Sequence, residues 1–229
     1  MLSTSAIERI LISPLGLMLL IGTCGMAICS YLRRERFQLS LLQCIGFSLL
    51  LTAAGVAGAM VLYFLESGSF GGVSFYGSVI LIPLLMPFVG LLFRLKPSQT
   101  MDLCGPCVAL MIGCLRINCF ISDCCGGWEA CIGSFCFRWP TQIIDSIADF
   151  MIMAWLLQTE KKQPHCGKLY PMFMVSYSIM RFFLEFLRDT PKDWLYLSHG
   201  QWFALVAIII GVIWIMILGK KCAPNGFAA

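Results

Sequence analysis

Two arginines, Arg116 and Arg181, stand inside long apolar runs, where a charged side chain has no ordinary place. An arginine at the centre of a spanning helix costs roughly 2.5 to 3.5 kcal/mol on insertion scales, so such residues face a cavity or a partner. A planar guanidinium offers two parallel donors that match the oxygens of a phosphate. Gln142, Asp145 and Asp149 follow at spacings of three and seven residues, on one face of a helix. Tyr177, Arg181, Glu185 and Arg188 form a second stripe, and Gln201 opens the last apolar run. Should these faces meet, they enclose a balanced or net cationic polar site suited to an anionic headgroup. The alternative is a network of ion pairs, Arg181 with Glu185 and Arg116 with Asp145 or Asp149, that only fixes helix packing.

A second set of reactive residues is the cysteines. Cys124, Cys125, Cys131 and Cys136 fall in one Gly-rich loop, and Cys119 ends the apolar run before it. Paired C-x2-C spacings or histidines, which a zinc site prefers, are absent from this loop, so no metal is expected there. Disulfides are expected if the loop faces an oxidising compartment, with a connectivity that spacing cannot give. Cys104 and Cys107 do have C-x2-C spacing, but they lie in an apolar run around Pro106 and read as packing. His165 sits in a basic stretch and reads as solvated, whereas His199 lies just before the last apolar run, near the polar stripes.

The elements that must hold these groups are apolar segments at residues 15–32, 38–65, 77–93, 103–121, 140–157, 169–187 and 201–218. Hydrophobic residues make up 59% of the 229-residue chain and charged residues 12%, which excludes an ordinary soluble domain. The expectation is an all-α integral membrane protein, one domain of seven transmembrane helices over residues 1–229. The first run lacks a basic flank before it and a cleavage site after it, so it is expected to remain as a helix. Arg33, Arg34, Arg36, Arg94, Lys96, Lys161, Lys162, Lys168, Lys220 and Lys221 occupy alternate junctions, against Arg9, Arg138, Arg188 and Lys192 on the others. That bias puts the N-terminus outside and the C-terminus in the cytoplasm. Arg116 and Arg181 then lie about five or six residues below the outer helix ends, some 8 to 9 Å deep at ~1.5 Å per residue.

Four stretches, GCLRINCFISDCCGG, RWPTQIID, SIMRFFLEFLRD and HGQWFALVAIIIG, together resemble the prolipoprotein diacylglyceryl transferase family. The family's G-R-I-G-x-F-x-x-G signature falls on Arg116 to Gly127 and its P-[ST]-Q-L-Y-E segment on Pro140 to Asp145. Its R-F-x-x-E-x-x-R helix falls on Arg181 to Arg188, and its closing G-Q span on Gly200 to Gly211. The resemblance implies transfer of the diacylglyceryl group of phosphatidylglycerol to the lipobox cysteine of exported precursors, with release of glycerol phosphate. It implies an address in the bacterial cytoplasmic membrane and needs no cofactor. Arg116 and Arg181 would neutralise the leaving phosphate. Glu185, Arg188, Gln142, Asp145, Gly127, Cys119 and Gln201 would line the substrate site.

The chain departs from the family at several points. The family's histidine at the mouth of the third span is Tyr76 here, and Ser78 replaces a glycine in GGVSFYGSV. A phenol with a pKa near 10 is a poor base, so Tyr76 or His199 is expected to assist the thiol proton in another way. Asn118, Cys119, Asp123 and Cys124 also depart from the signature loop. Two other readings share the same bundle: a lipid transferase with a different acceptor, and a non-catalytic lipid-binding or transport protein. Transporters place polar sites near the midplane, whereas these residues gather toward one leaflet.

Overall fold

A computed structural model describes residues 13–69, 74–132, 135–162, 166–188, 190 and 196–222. Arg9, Lys192, His165 and the first residues of the Tyr76 motif, 71–73, lie outside the described residues. Seven long helices are described: α1 (Pro14–Leu32), α2 (Leu41–Ser67), α3 (Phe75–Leu92), α4 (Pro97–Ile121), α5 (Thr141–Lys162), α6 (Leu169–Leu184) and α7 (His199–Cys222). Each expected apolar segment lies on one of them. Four, α1, α2, α4 and α7, are long and apolar enough to cross a membrane.

Local chemistry sets the helix ends. Ser13 caps α1, accepting from Gly16 N–H ahead of a proline at the first helical position. Ser40 and Gln43 form a capping box, so α2 starts at Leu41 rather than at Gln38, whose backbone is left-handed (φ 54°). Helix α4 begins at Pro97, six residues before its apolar run. Thr100 and Asp102 in its first two turns are buried against protein, which hydropathy alone does not register. Helix α6 tightens after Leu184 into a 3-10 turn, Glu185–Leu187, and this turn aims Glu185 and Arg188 back toward the bundle.

Helix α4 is the central element, packed on α1, α3, α5 and α6. Within its most apolar stretch 72% of residues are buried, against 17% for α7. That difference explains why α4 tolerates Asp102 and Arg116, since its surroundings are other helices. Leucines such as Leu32 and Leu42 face outward on the rim, as an apolar solvent requires. Helices α2 and α3 touch backbone to backbone at Gly58 and Gly77, where a Cβ on either would collide with the other's carbonyl. Ser78 donates to Gly55 O at 2.6 Å, so the serine that replaces a glycine in the motif ties the same pair together.

A polar knot closes one end of the bundle. Arg33 donates to Asp102 O (2.7 Å) and Leu103 O (3.2 Å) and pairs with Glu160 at 2.9 Å, joining α1, α4 and α5. The Asp102 carboxylate accepts from Gly167 N and Leu169 N at 2.9 and 3.0 Å, which anchors the start of α6. Beside it, Cys104 and Cys107 are fully buried in the core.

At the other end the segment between α4 and α5 adds a two-stranded antiparallel hairpin to the helical bundle, β1 (Glu129–Ile132) and β2 (Phe135–Arg138). Cys131 stands opposite Cys136 and the two are disulfide-bonded, while Cys124 and Cys125 are free thiols.

Candidate active site

The polar stripes of α5 and α6 do meet, at the end of the bundle opposite the Arg33 knot. Asp145 Oδ2 is the common acceptor. Arg188 Nη2 donates to it at 2.7 Å, Arg181 Nη1 lies at 3.5 Å and Arg116 Nε also at 3.5 Å. The three guanidinium groups come from α4, α6 and the segment just after the 3-10 turn. Arg116, Asp145 and Arg188 are all buried, which removes the water that would otherwise screen these charges.

Further partners fix each group. Arg116 Nη2 donates to Tyr177 Oη at 3.2 Å. Arg181 Nη2 pairs with Glu185 Oε2 at 2.8 Å, one turn away, and Ser198 Oγ donates to Glu185 Oε1 at 3.1 Å. Gln201 receives Ser198 N–H at 2.9 Å, Ser198 Oγ accepts from Gln201 N–H, and Gln201 Nε2 donates to Phe182 O. Ser198 and Gln201 are thus a capping box that starts α7 and holds Glu185. Gln142 Nε2 donates to Cys124 O at 2.8 Å, so this amide anchors the cysteine loop.

Several buried polar atoms at this level have no hydrogen-bond partner: Asp145 Oδ1, both oxygens of Asp149, Ser178 Oγ and Tyr76 Oη. Native interiors leave few such atoms, and a concentration of them marks a place that a polar ligand completes. Tyr76 is buried, stacked on Phe203 at 5.6 Å and edge-on to Tyr177 at 6.3 Å. Its hydroxyl is therefore delivered to the Arg116–Tyr177 neighbourhood by an aromatic wall. His199 is exposed, as the first residue of α7 rather than in the loop before it.

Gly127 does not reach this cluster through a side chain; it lets three backbones converge. Its N–H donates to Trp139 O at 2.9 Å, it bridges to Arg188, and Trp128 N–H donates to Leu187 O. A Cβ there would stand 2.6 Å from Leu187 O, so a larger residue would push Arg188 off Asp145.

Cys119 lies in the last turn of α4, one turn beyond Arg116. Its Sγ lies with those of Cys124 and Cys125 in a group whose atoms are all within 4.8 Å of one another. The Cys125 thiol is held down to about 5, chiefly by a hydrogen bond from Cys119 and then by Arg188 and Arg116, against the opposing effect of burial. Burial pushes Cys124 up. The sequence sets Cys119 beside the four loop cysteines, but only the fold shows Cys131 paired with Cys136 and the other three thiols gathered together.

The profile of a known family, prolipoprotein diacylglyceryl transferase, matches residues 4–217. The chain belongs to the prolipoprotein diacylglyceryl transferase family. Among its relatives, phosphatidylglycerol–prolipoprotein diacylglyceryl transferase 2 of Clostridium perfringens is 31% identical over 198 residues, 76% of this chain and 77% of that one. The phosphatidylglycerol–prolipoprotein diacylglyceryl transferase of Clostridium tetani is 35% identical over 50% of this chain and 51% of its own length. The corresponding protein of Pasteurella multocida is 28% identical over 70% and 67%. As a prolipoprotein diacylglyceryl transferase family member, the chain is one of a family of bacterial transferases of lipoprotein biosynthesis.

Proposed function

We propose that this chain transfers the diacylglyceryl group of phosphatidylglycerol to the lipobox cysteine thiol of exported prolipoproteins, at the outer leaflet of the bacterial cytoplasmic membrane. All seven helices span, with the N-terminus outside and the basic Arg33 end in the cytoplasm, as the lysine and arginine bias requires. One observation carries the reading: a single carboxylate oxygen, Asp145 Oδ2, gathers three guanidinium groups at one end of the bundle.

The chemistry follows from that arrangement. The acceptor thiolate attacks the glyceryl carbon that bears the phosphate, a C–S bond forms, and the C–O bond breaks with its electron pair on the phosphate oxygen. Charge develops on the leaving glycerol phosphate, so fixed positive groups aimed at it lower the barrier without reorganising. Arg116 and Arg181 are those groups. Asp145 keeps their forks converged before the donor binds, and Glu185, itself held by Ser198, fixes Arg181. Arg188 closes the outer side of the cluster. The Tyr76 hydroxyl, with no partner of its own, donates to a headgroup oxygen.

Tyr76 also favours one second reading, the same lipid donor with a different acceptor. A phenol stands where the family motif carries a histidine, a candidate base for the acceptor thiol, so the chemistry of the acceptor is where this chain would differ.

The test is the purified protein in phosphatidylglycerol nanodiscs with a lipobox peptide. The peptide should gain the mass of one diacylglyceryl group. If it stays unmodified while a verified relative modifies it alongside, the reading fails. If the thiol-free Ser peptide or another nucleophile is lipidated instead, the second reading replaces the first.

A further inference from the structure

The three thiols beside the arginine cluster are placed as a set. Cys119 is buried, Cys124 half-buried and Cys125 exposed, so the group opens in one direction, away from the bundle. The loop is bent to bring them together: Asp123 and Cys125 both take left-handed backbone, φ 46° and 60°, a region that side-chain-bearing residues rarely adopt. Cys124 N–H donates to Cys119 O at 3.0 Å. From α5, Gln142 holds Cys124 O and Thr141 Oγ1 holds Cys125 O at 3.2 Å. Two adjacent cysteines are thus pinned against a third by contacts that do not use their sulfurs. The hairpin disulfide, Cys131–Cys136, is separate.

From this geometry we propose that Cys119, Cys124 and Cys125 form a zinc site whose open fourth position takes the thiol of the acceptor. Zinc–sulfur bonds of ~2.3 Å set tetrahedral sulfurs about 3.8 Å apart, which a small contraction of the group reaches. Three protein ligands with one open position is the arrangement of a zinc ion that works on substrate rather than one that only braces a fold. Thiolate donors select zinc over hard cations such as magnesium or calcium. Arg116 stands one turn from Cys119 on α4, and its positive charge offsets part of the negative charge of a zinc-thiolate centre.

The inference rests on the transferase reading and adds to its site a means of making thiolate. Tyr76 is a phenol buried among aromatic rings and His199 is exposed at the mouth. A thiol bound to zinc gives up its proton to solvent outright. The bound thiolate then attacks the glyceryl carbon, the C–O bond breaks, and glycerol phosphate departs with the electron pair toward Arg116 and Arg181. No oxidant or reductant enters. The zinc remains on its three cysteines as the thioether product leaves.

The full chain, purified with reductant in nanodiscs, is loaded with zinc or cobalt(II), desalted and assayed for bound metal. The wild type should retain about one ion per chain. The Cys119→Ser, Cys124→Ser, Cys125→Ser triple variant should retain none while unfolding at a temperature close to that of the metal-free wild type, which shows that it is folded. A Cys131→Ser, Cys136→Ser variant should retain the ion. The cobalt spectrum should change on adding a lipobox peptide and stay unchanged with its Ser analogue. Wild-type protein that retains no metal overturns the inference. So does equal retention by the triple variant, or transfer by that variant at the wild-type rate. Metal retained with the thiol-specific spectral change, but without any release of glycerol phosphate, keeps the site and rejects the transferase reading.

Discussion

Arg188 donates to Asp145 Oδ2 at 2.7 Å, across the gap between the 3-10 turn after α6 and the first turns of α5. Because Arg116 and Arg181 address the same oxygen, Asp145 is the hinge of the site. Asp145→Asn removes the charge and keeps the shape. Losing one partner of a buried ion cluster costs about 3 to 5 kcal/mol. Thermal unfolding in detergent should register a loss of that order, and turnover should fall with it. Unaltered stability and turnover would mean that the three arginines do not depend on this carboxylate.

The Tyr76 hydroxyl is buried without a hydrogen-bond partner, whereas the ring stacks on Phe203. Tyr76→Phe should therefore leave stability equal or slightly higher, since an unsatisfied buried hydroxyl costs about 1 to 3 kcal/mol. If that hydroxyl contacts the headgroup in the transition state, turnover should drop ~10-fold, the equivalent of ~1.4 kcal/mol. A variant as active as the wild type would remove Tyr76 from the chemistry.

Gly77 touches Gly58 across the α2–α3 contact and adjoins Tyr76 in sequence. Gly77→Ala forces the two helices apart at an overpacking cost of about 1 to 3 kcal/mol. The displaced α3 carries Tyr76 with it, so both stability and turnover should fall, and unfolding and lipid-transfer assays on one preparation would read both. Full activity would show that α3 is free to slide.

The knot at the far end gives the contrasting case. Asp102→Ala leaves Gly167 N–H and Leu169 N–H without their acceptor, at about 1 to 3 kcal/mol each. Stability should fall while turnover per folded molecule stays at the wild-type level. A specific loss of turnover would place this end of the bundle in the reaction.

Much of the site could be read from the chain because charge inside an apolar run is conspicuous. Arg116, Arg181, Asp145 and Glu185 stand out for that reason, and periodicity puts Asp145 on one polar face of α5 and Arg181 and Glu185 on one stripe of α6; that the two faces meet is seen only in the fold. Arg33 did not stand out. It sits at a junction where basic residues orient the chain, and only the fold shows it reaching Glu160 and the carbonyls of α4. Gln201 looked like a polar lining residue, but its spacing from Ser198 is that of a capping box, a signal present in the sequence and passed over. The thiol group depends on two left-handed residues and two side-chain contacts from another helix, which no local pattern encodes.

The most direct test is glycerol phosphate release from phosphatidylglycerol in the presence of a lipobox peptide, by the wild type and by Arg181→Ala and Arg116→Ala variants shown to be inserted and folded. The account expects release by the wild type and a fall of at least 100-fold in each variant, the range in which loss of one transition-state donor falls. Release by either variant at the wild-type rate would contradict it.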